Sequence, residues 1–250
     1  LEAMPLEAAD FSVGSMFHPI FQTVRHALLN EELLPAFGRG YVTGKSAKLA
    51  RGSEMAALFN PKRLQLLLGL ERTPRWLSTD ISENKTPELY TYLVGRRGRG
   101  RWSGEEIEPL VEDIEVRPEH LLAHINEKFM SEQTDAWVKK LYVYLGTQRD
   151  LHGMLRTLPI LRLRDGKHVA AQSEDGQTTA FMPSKRSSGF PTIKPSLVSD
   201  TRVKDFLRDL GVREPDNTAE LMQSVLAKYL KNPGGVGRKE HAEDIEKIAS

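Results

Sequence analysis

The chain of 250 residues contains no cysteine. This absence excludes disulfide bonds, thiol catalysis and cysteine-ligated metal sites, and it fits a reducing compartment, so we expect a cytoplasmic protein. Long hydrophobic runs are missing too, since no stretch approaches the roughly 20 apolar residues that span a bilayer, and we expect no membrane partner. Neither sign of charge dominates: 35 basic and 34 acidic residues leave a net charge of +1, so no global field attracts nucleic acid or a membrane.

A complete phosphate-binding loop is also missing, although one stretch resembles it. Residues 37–52 read FGRGYVTGKSAKLARG and contain Gly44-Lys45-Ser46, the order that ends a P-loop. That motif requires a glycine at the position of Arg39, and it follows a buried strand, whereas a helical pattern and Pro35 precede the stretch here. We therefore predict no nucleotide site and interpret Gly40-Tyr41-Val42 as the return strand of a hairpin.

Side chains with the spacing of a catalytic or metal site are lacking as well. His120 and His124 stand four places apart, but the zincin pattern requires glutamate after the first histidine, and Leu121 stands there. We predict that both histidines pack or lie at the surface, and that His168 is exposed in a hairpin. The sequence predicts no catalytic, cofactor-binding or metal-binding residue, no cofactor, and no enzyme activity of this chain.

Periodicity and capping residues predict a helix-rich chain with one clear hairpin. The segment LPILRLRDGKHVAA alternates apolar and charged residues around an Asp165-Gly166 turn, which is typical of a β-hairpin. Pro87 and Pro118 are expected at the first position of helices, and Gly69 at the end of one. The predicted helices lie in residues 18–35, 61–70, 86–94, 117–130, 134–146, 200–212 and 217–230.

An order of short motifs occurs in both halves of the chain. The first half has Leu34-Pro35, Gly40-Tyr41-Val42, Leu68-Gly69-Leu70 and Thr86-Pro87-Glu88-Leu89; the second has Leu158-Pro159, Gly166-Lys167-His168-Val169, Leu210-Gly211-Val212 and Thr218-Ala219-Glu220-Leu221. We predict a divergent duplication, with chance agreement of common motifs as the alternative. The expected fold class is α+β and helix-rich, with two related subdomains that each pack a small β-hairpin or antiparallel sheet on helices. Their expected bounds are 1–116, with a basic linker near 95–104, and 117–250.

The loop at 95–102 is the one surface signal that suggests a ligand. Arg96, Arg97, Arg99 and Arg101 alternate with glycines and end on Trp102. Arginines of this kind bind phosphates while an indole stacks on a base, so nucleic-acid contact is one interpretation. A solvated linker and contact with an acidic partner are the alternatives.

The order of motifs from EELLPAFGRGYVTG and TPELYTYLV to DAWVKKLYVYLG, LPILRLRDGKHVAA and DTRVKDFLRDLGV covers most of the chain. It resembles the region downstream of the ATPase domain in bacterial sacsin-like proteins, whose nucleotide-binding domain is of the gyrase, histidine-kinase and heat-shock-chaperone type. The Asp-x-Gly-x-Gly turn of that ATPase type cannot be placed in this chain. The resemblance therefore implies ATP binding by a parent protein and carries over no catalytic residue.

The expected function follows from this resemblance. It is a non-catalytic structural, coupling or client-binding region of a larger sacsin-like, ATP-dependent, chaperone-type protein. Both ends of the chain look like cuts within a longer polypeptide, so the expected partners are other domains of the parent, including its ATPase domain, and a protein client. A nucleic-acid-binding module that uses the loop at 95–102 is the alternative.

Overall fold

The structure is a computed structural model that describes residues 18–95, 108–184, 190–215, Tyr229 and 237–249. Apart from Tyr229, the predicted helix at 217–230 lies outside the described residues. The chain divides into two compact units, Leu1–Ile125 and Asn126–Ser250. Each unit packs short strands on helices, which confirms the helix-rich α+β fold class.

The first unit combines a hairpin with a small mixed sheet. Its elements are α1 (His18–Asn30), β1 (Leu34–Pro35), β2 (Tyr41–Val42), β3 (Ala47–Ala50), α2 (Ser53–Leu58), α3 (Pro61–Leu68), β4 (Arg75–Trp76), α4 (Pro87–Val94), β5 (Glu115–Val116) and α5 (Pro118–Leu122). β1 pairs antiparallel with β2, and β3 pairs parallel with both β4 and β5. A bridge between Ala36 and Leu77 joins the hairpin to the residue after β4, so the five strands form one surface over a core that includes Leu28, Leu34, Leu49 and Leu93.

The second unit is built around two long helices and a second hairpin. Its elements are α6 (Glu127–Ser131), α7 (Asp135–Gly146), α8 (His152–Leu155), β6 (Leu161–Arg162), β7 (His168–Val169), α9 (Thr201–Asp209) and α10 (Arg238–Ala249). The Thr134 hydroxyl accepts a bond from the Trp137 amide and caps α7, and the Asp200 carboxylate caps α9. α7 packs on α9, with Tyr142 and Phe206 at a ring-centroid distance of 5.7 Å. Val138, Leu141 and Leu145 of α7 are buried in the core of this unit.

The two units repeat one set of backbone hydrogen bonds, which we call the repeated framework. In the first unit, amide donors pair with carbonyls as Ala36 to Gly40, Phe37 to Trp76, Leu77 to Lys48 and Leu49 to Ile114. The second unit has the same set as Leu163 to Lys167, Arg164 to Thr192, Ile193 to Phe181 and Met182 to Arg213. These bonds connect the hairpin, the parallel segments and the returning segment in the same order, so the two units are related in topology.

The repeated framework corrects the register of the predicted duplication. β1 and β2 pair Leu34 with Val42, and β6 and β7 pair Leu161 with Val169, so Leu34 is equivalent to Leu161 and not to Leu158. Hairpin register follows from the turn, and a shifted register would change which side chains face the core. The counterpart of α4 is likewise α9 rather than the segment at 217–230: both helices follow a capping residue, and Leu93 and Leu207 both accept a bond from the returning chain.

Two predicted helices are shorter than expected. α1 ends at Asn30, because the chain turns there and Leu34–Pro35 form a strand whose Pro35 carbonyl accepts a bond from the Ser78 amide. The predicted helix at 117–130 is two helices, α5 and α6, because the Asn126 side chain accepts a bond from the Phe129 amide and starts a new helix. The helices at α3, α4, α7 and α9 and the hairpin at Asp165-Gly166 are confirmed.

Candidate functional site

The loop residues proposed from the sequence to contact nucleic acid or an acidic partner lie outside the described residues. They are Arg96, Arg97, Arg99, Arg101 and Trp102. Their role stays a prediction.

The P-loop-like stretch is a packing element. Gly44–Ser46 form a short 3-10 helix against α1, where a side-chain Cβ on Gly44 would lie 2.9 Å from the Leu28 carbonyl oxygen. Lys45 donates to the Asn30 side chain at 2.7 Å, so this lysine is engaged at the end of α1. The glycine is therefore explained by close approach of two backbones, and Tyr41–Val42 form the return strand that the sequence predicted.

His120 and His124 are both exposed at the surface of the first unit. His124 Nδ1 lies 2.8 Å from the His120 backbone carbonyl oxygen, so the His124 ring contacts the backbone of its own helix. Within the described ranges, no group of three potential ligands could hold a metal ion. Nor does any described helix have the length and apolar character to cross a membrane.

The sequence missed a buried polar network in the second unit, which we call the Arg162 network. Arg162 is 6% exposed and makes four side-chain hydrogen bonds: to the carbonyls of Met130 and Gln133, to the Asp135 carboxylate at 2.7 Å, and to His168 Nε2 at 3.0 Å. It thereby ties the hairpin to the turn between α6 and α7. Every one of these partners accepts, as the donor-only guanidinium requires.

His168 is buried, which contradicts the prediction that it is exposed. The residue is 3% exposed because α6 packs against β7. Since Nε2 accepts from Arg162, the proton of the neutral ring lies on Nδ1, which has no hydrogen-bond partner in the described part of the chain. Burial, and then the neighbouring Arg162 charge, lower the pKa of His168 to about 4.

The acidic member of the Arg162 network is shared by two cations. Lys194 binds Asp135 at 2.6 Å and Arg162 binds its other oxygen at 2.7 Å. The bond from Lys194, followed by the bond from Arg162, holds the pKa of Asp135 below its usual value. The network is therefore a closed structural cluster in which each charge has an opposite charge nearby.

A groove with a volume of about 540 Å³ lies elsewhere on the second unit, and we call it the cationic groove. Apolar side chains of Met182, Pro183, Pro195, Val198 and Val212 line it. The polar lining is Ser199, Lys204, Arg208, Arg213 and Glu214. The groove runs between α9 and the returning segment at 212–214, whose Arg213 carbonyl accepts a bond from the Met182 amide.

In the first unit, a hydrogen bond between two side chains occupies the place that corresponds to the groove. Tyr90 and Lys204 are equivalent, since each lies four residues after the helix cap and donates its amide to the cap carbonyl. Glu115 and Glu214 are equivalent as well, because they directly follow Ile114 and Arg213, which occupy the same place in the repeated framework. The Tyr90 hydroxyl donates to the Glu115 carboxylate at 2.8 Å, whereas Lys204 and Glu214 form no ion pair among the described residues.

The Tyr90–Glu115 bond is reflected in the titration of both groups. Burial, and then the bond to Glu115, raise the pKa of Tyr90 to about 12. Burial alone would raise the pKa of Glu115, but the bonds from Tyr90 and Arg117 outweigh it and lower the value. The two units therefore use one position differently: a closed polar contact in the first and separate charges at a groove in the second.

One sequence signal could have identified the groove. α9 is amphipathic, and Lys204 and Arg208 stand four residues apart on its exposed side. The returning segment that completes the groove could not be placed, since its contact with Met182 joins residues far apart in the chain. Comparison of the chain with protein-family models, with curated proteins and with solved structures finds no match.

Proposed function

We propose that the chain is a non-catalytic region that binds or couples partner polypeptides within a larger sacsin-like, ATP-dependent protein of the cytoplasm. The observation that carries this proposal is the cationic groove, which is lined by apolar residues and by the charged residues Lys204, Arg208, Arg213 and Glu214. Concave apolar surfaces with a few polar groups are the usual place of ligand contact. The proposed partners are other domains of the same protein, including its ATPase domain, and a protein client.

The distribution of perturbed groups supports a binding role. Strongly shifted pKa values mark catalytic sites when the groups face a cleft. Here the shifted pKa of His168 belongs to the closed Arg162 network, and that of Tyr90 belongs to a bond with Glu115. The groove contributes exposed cations and apolar surface instead.

Two measurements on the purified chain test this function. The first follows phosphate release and calorimetric binding with ATP, and we expect neither turnover nor tight binding. The second follows light scattering of a chemically unfolded enzyme, and we expect the chain to reduce its aggregation. ATP hydrolysis by the chain, or scattering that it leaves unchanged, would contradict the proposal.

The second candidate function is nucleic-acid binding by the loop at 95–102, favoured by the alternation of arginine with glycine next to Trp102. Its test replaces Arg96, Arg97, Arg99 and Arg101 with serine and titrates labelled single-stranded DNA or RNA. Salt-dependent binding that the replacements abolish would support this function. Binding that is absent, or unchanged by the replacements, would remove it.

A further inference from the structure

We propose that the cationic groove binds an extended segment of a protein partner in which acidic and apolar side chains alternate. This inference rests on the proposed function and adds the chemistry of the partner. The segment would place its apolar side chains on Pro183 and Pro195, the apolar lining residues with exposed surface, and its carboxylates near the rim cations.

The charges of the rim favour an acidic partner. Lys204, Arg208 and Arg213 line the groove against one carboxylate, Glu214. Arg208 forms an ion pair with Asp205 at 3.4 Å, and both side chains are more than half exposed, so this pair is weak. Lys204 and Arg213 form no ion pair within the described ranges. Lys139 adds a further cation next to the groove through its 3.2 Å contact with Ser199.

The backbone segment that lines one side of the groove is the basis for inferring an extended polypeptide. One wall is the segment at 212–214, which carries the last hydrogen bond of the repeated framework. An extended chain along this wall alternates its side chains between two directions, so one set would meet Pro183 and Pro195 and the other set would meet the rim cations. This period of two is what distinguishes the proposed ligand from an amphipathic helix.

The first unit shows that this position can be closed within the same framework. Tyr90 reaches across to Glu115 there, and Arg117 also binds Glu115, at 2.9 Å. Lysine in place of the tyrosine leaves Glu214 without a bond to any residue that the structure describes, and it adds a cation. The second unit thus differs from the first in the residues that would close the groove, while the strands and helix on either side are retained.

The experiment measures fluorescence anisotropy of a labelled peptide that repeats Leu-Asp, titrated with the whole chain. Peptides that repeat Leu-Lys and Ser-Asp test the requirements for acidic and apolar side chains. We expect saturable binding of the Leu-Asp peptide that weakens with salt, and about tenfold weaker or no binding of the other two. Absence of Leu-Asp binding, or equal binding of all three peptides, would overturn the proposal.

Three variants locate the binding. Lys204→Glu combined with Arg213→Glu is expected to weaken binding about tenfold or more. Lys140→Glu combined with Arg149→Glu makes the same change in net charge with exposed residues of the same unit that do not line the groove, and it is expected to change affinity less than about twofold. Lys204→Tyr recreates the residue of the first unit and is expected to weaken binding by closing the groove. Circular dichroism confirms that each variant is folded.

The outcomes separate this inference from the proposed function. Equal loss in the groove variant and the matched variant would show nonspecific attraction and overturn the groove assignment. Competition by single-stranded DNA that the groove variant removes would assign the groove to phosphate and overturn the peptide. Loss of peptide binding together with unchanged suppression of aggregation would contradict the groove as the client site while the proposed function stands. ATP turnover by the chain would remove the proposed function without changing the peptide result.

Discussion

At the scale of single residues, the second unit depends on one arginine that the sequence pattern places at the surface. Alternation in the segment LRLR assigns Arg162 and Arg164 to the solvent side of a strand. Arg164 is exposed as this pattern predicts, but Arg162 is buried because α6 and the turn before α7 cover that face. A buried charge is tolerated when all of its hydrogen-bond partners are present, whereas its removal leaves those partners without a donor in the protein interior.

We predict that Arg162→Met strongly destabilises the chain. The variant removes the donor to His168 Nε2 and to the Gln133 carbonyl, and it removes one of several donors to the Met130 carbonyl and to Asp135. The expected loss in the free energy of unfolding is about 3 kcal/mol or more. Urea denaturation measures it. The matched control is Arg164→Met, whose exposed side chain predicts a change within about 0.5 kcal/mol. Equal stability of the two variants would contradict the role of the network.

His168 gives the stability a predictable dependence on pH. Its pKa is lowered to about 4 in the folded chain, against about 6.5 when unfolded, so the unfolded chain binds the proton more readily between these values. Stability is therefore fully present above about pH 7 and falls as the pH decreases through 6.5 toward 4, by about 2 kcal/mol between pH 7 and pH 5.

Comparison with His168→Gln isolates this contribution, because a glutamine oxygen can still accept from Arg162 and does not titrate. Urea denaturation at pH 7 and pH 5 should show a smaller decrease for the variant by about the same 2 kcal/mol. A decrease of the same size in both proteins would show that His168 takes its proton without cost to the fold.

The sequence located the members of the candidate sites unevenly, for reasons that these residues illustrate. Lys204 and Arg208 are placed on the exposed face of a helix by local periodicity alone. Arg162 and His168 are placed by their hairpin, but their burial depends on what α6 covers, and one sequence holds no information on that cover. Tyr90 and Glu115 are brought together by the return of the chain to β3, a contact between distant residues.

At the scale of elements, Gly44 shows how a helix and a turn approach each other in the first unit. It is not in the left-handed conformation, so the requirement is space alone. We predict that Gly44→Ala lowers the free energy of unfolding by about 1–3 kcal/mol, because the added Cβ would overlap the backbone of α1. Thermal unfolding measures this effect.

Gly153→Ala is the control for that substitution. Gly153 lies in α8 with nothing within 4 Å of an added Cβ, so alanine there is expected to be neutral or to stabilise by up to about 1 kcal/mol. A neutral result for Gly44→Ala would show that the contact between the 3-10 helix and α1 relaxes readily.

The elements that the sequence predicted are those with local signals. α3 has Asn60 and Pro61 at its start and Gly69 in a left-handed conformation at its end, and each of these residues is recognisable without knowledge of the fold. β3 to β5 have two to four residues each and pair in parallel. Strands this short carry too few alternating positions to be recognised, and their partners are set by long-range packing.

The two hairpins show that local sequence does not predict whether the outer face of a strand is buried. Tyr41 and His168 are equivalent by register, yet Tyr41 is 59% exposed and His168 is 3% exposed. Local sequence made both return strands predictable. The cover provided by α6 in the second unit comes from a separate element, and only the fold reveals it.

At the scale of the whole molecule, one framework carries two different uses of the same position. The hydrogen bonds that define the strands are retained in both units. The side chains between the helix and the returning segment differ: the first unit has a bonded tyrosine and glutamate, and the second has a lysine and a glutamate at a groove. Backbone bonds are obligatory when buried, whereas contacts between partly exposed side chains contribute little to stability. Divergence is therefore expected in the second class, where binding properties change without loss of the fold.

Double-mutant cycles in the two units test this difference in coupling. Tyr90→Phe removes the donor, and Glu115→Gln removes the charge, of a partly buried bond of 2.8 Å, and their coupling energy is expected to be about 1–2 kcal/mol. Lys204→Met and Glu214→Gln change two exposed groups that are not paired, and their coupling is expected to lie below about 0.3 kcal/mol. Urea denaturation of each single and double variant gives both values under the same conditions. Equal coupling in the two cycles would mean that Lys204 and Glu214 interact in solution and that the groove is closed as its counterpart is, which would also contradict its proposed use as a binding surface.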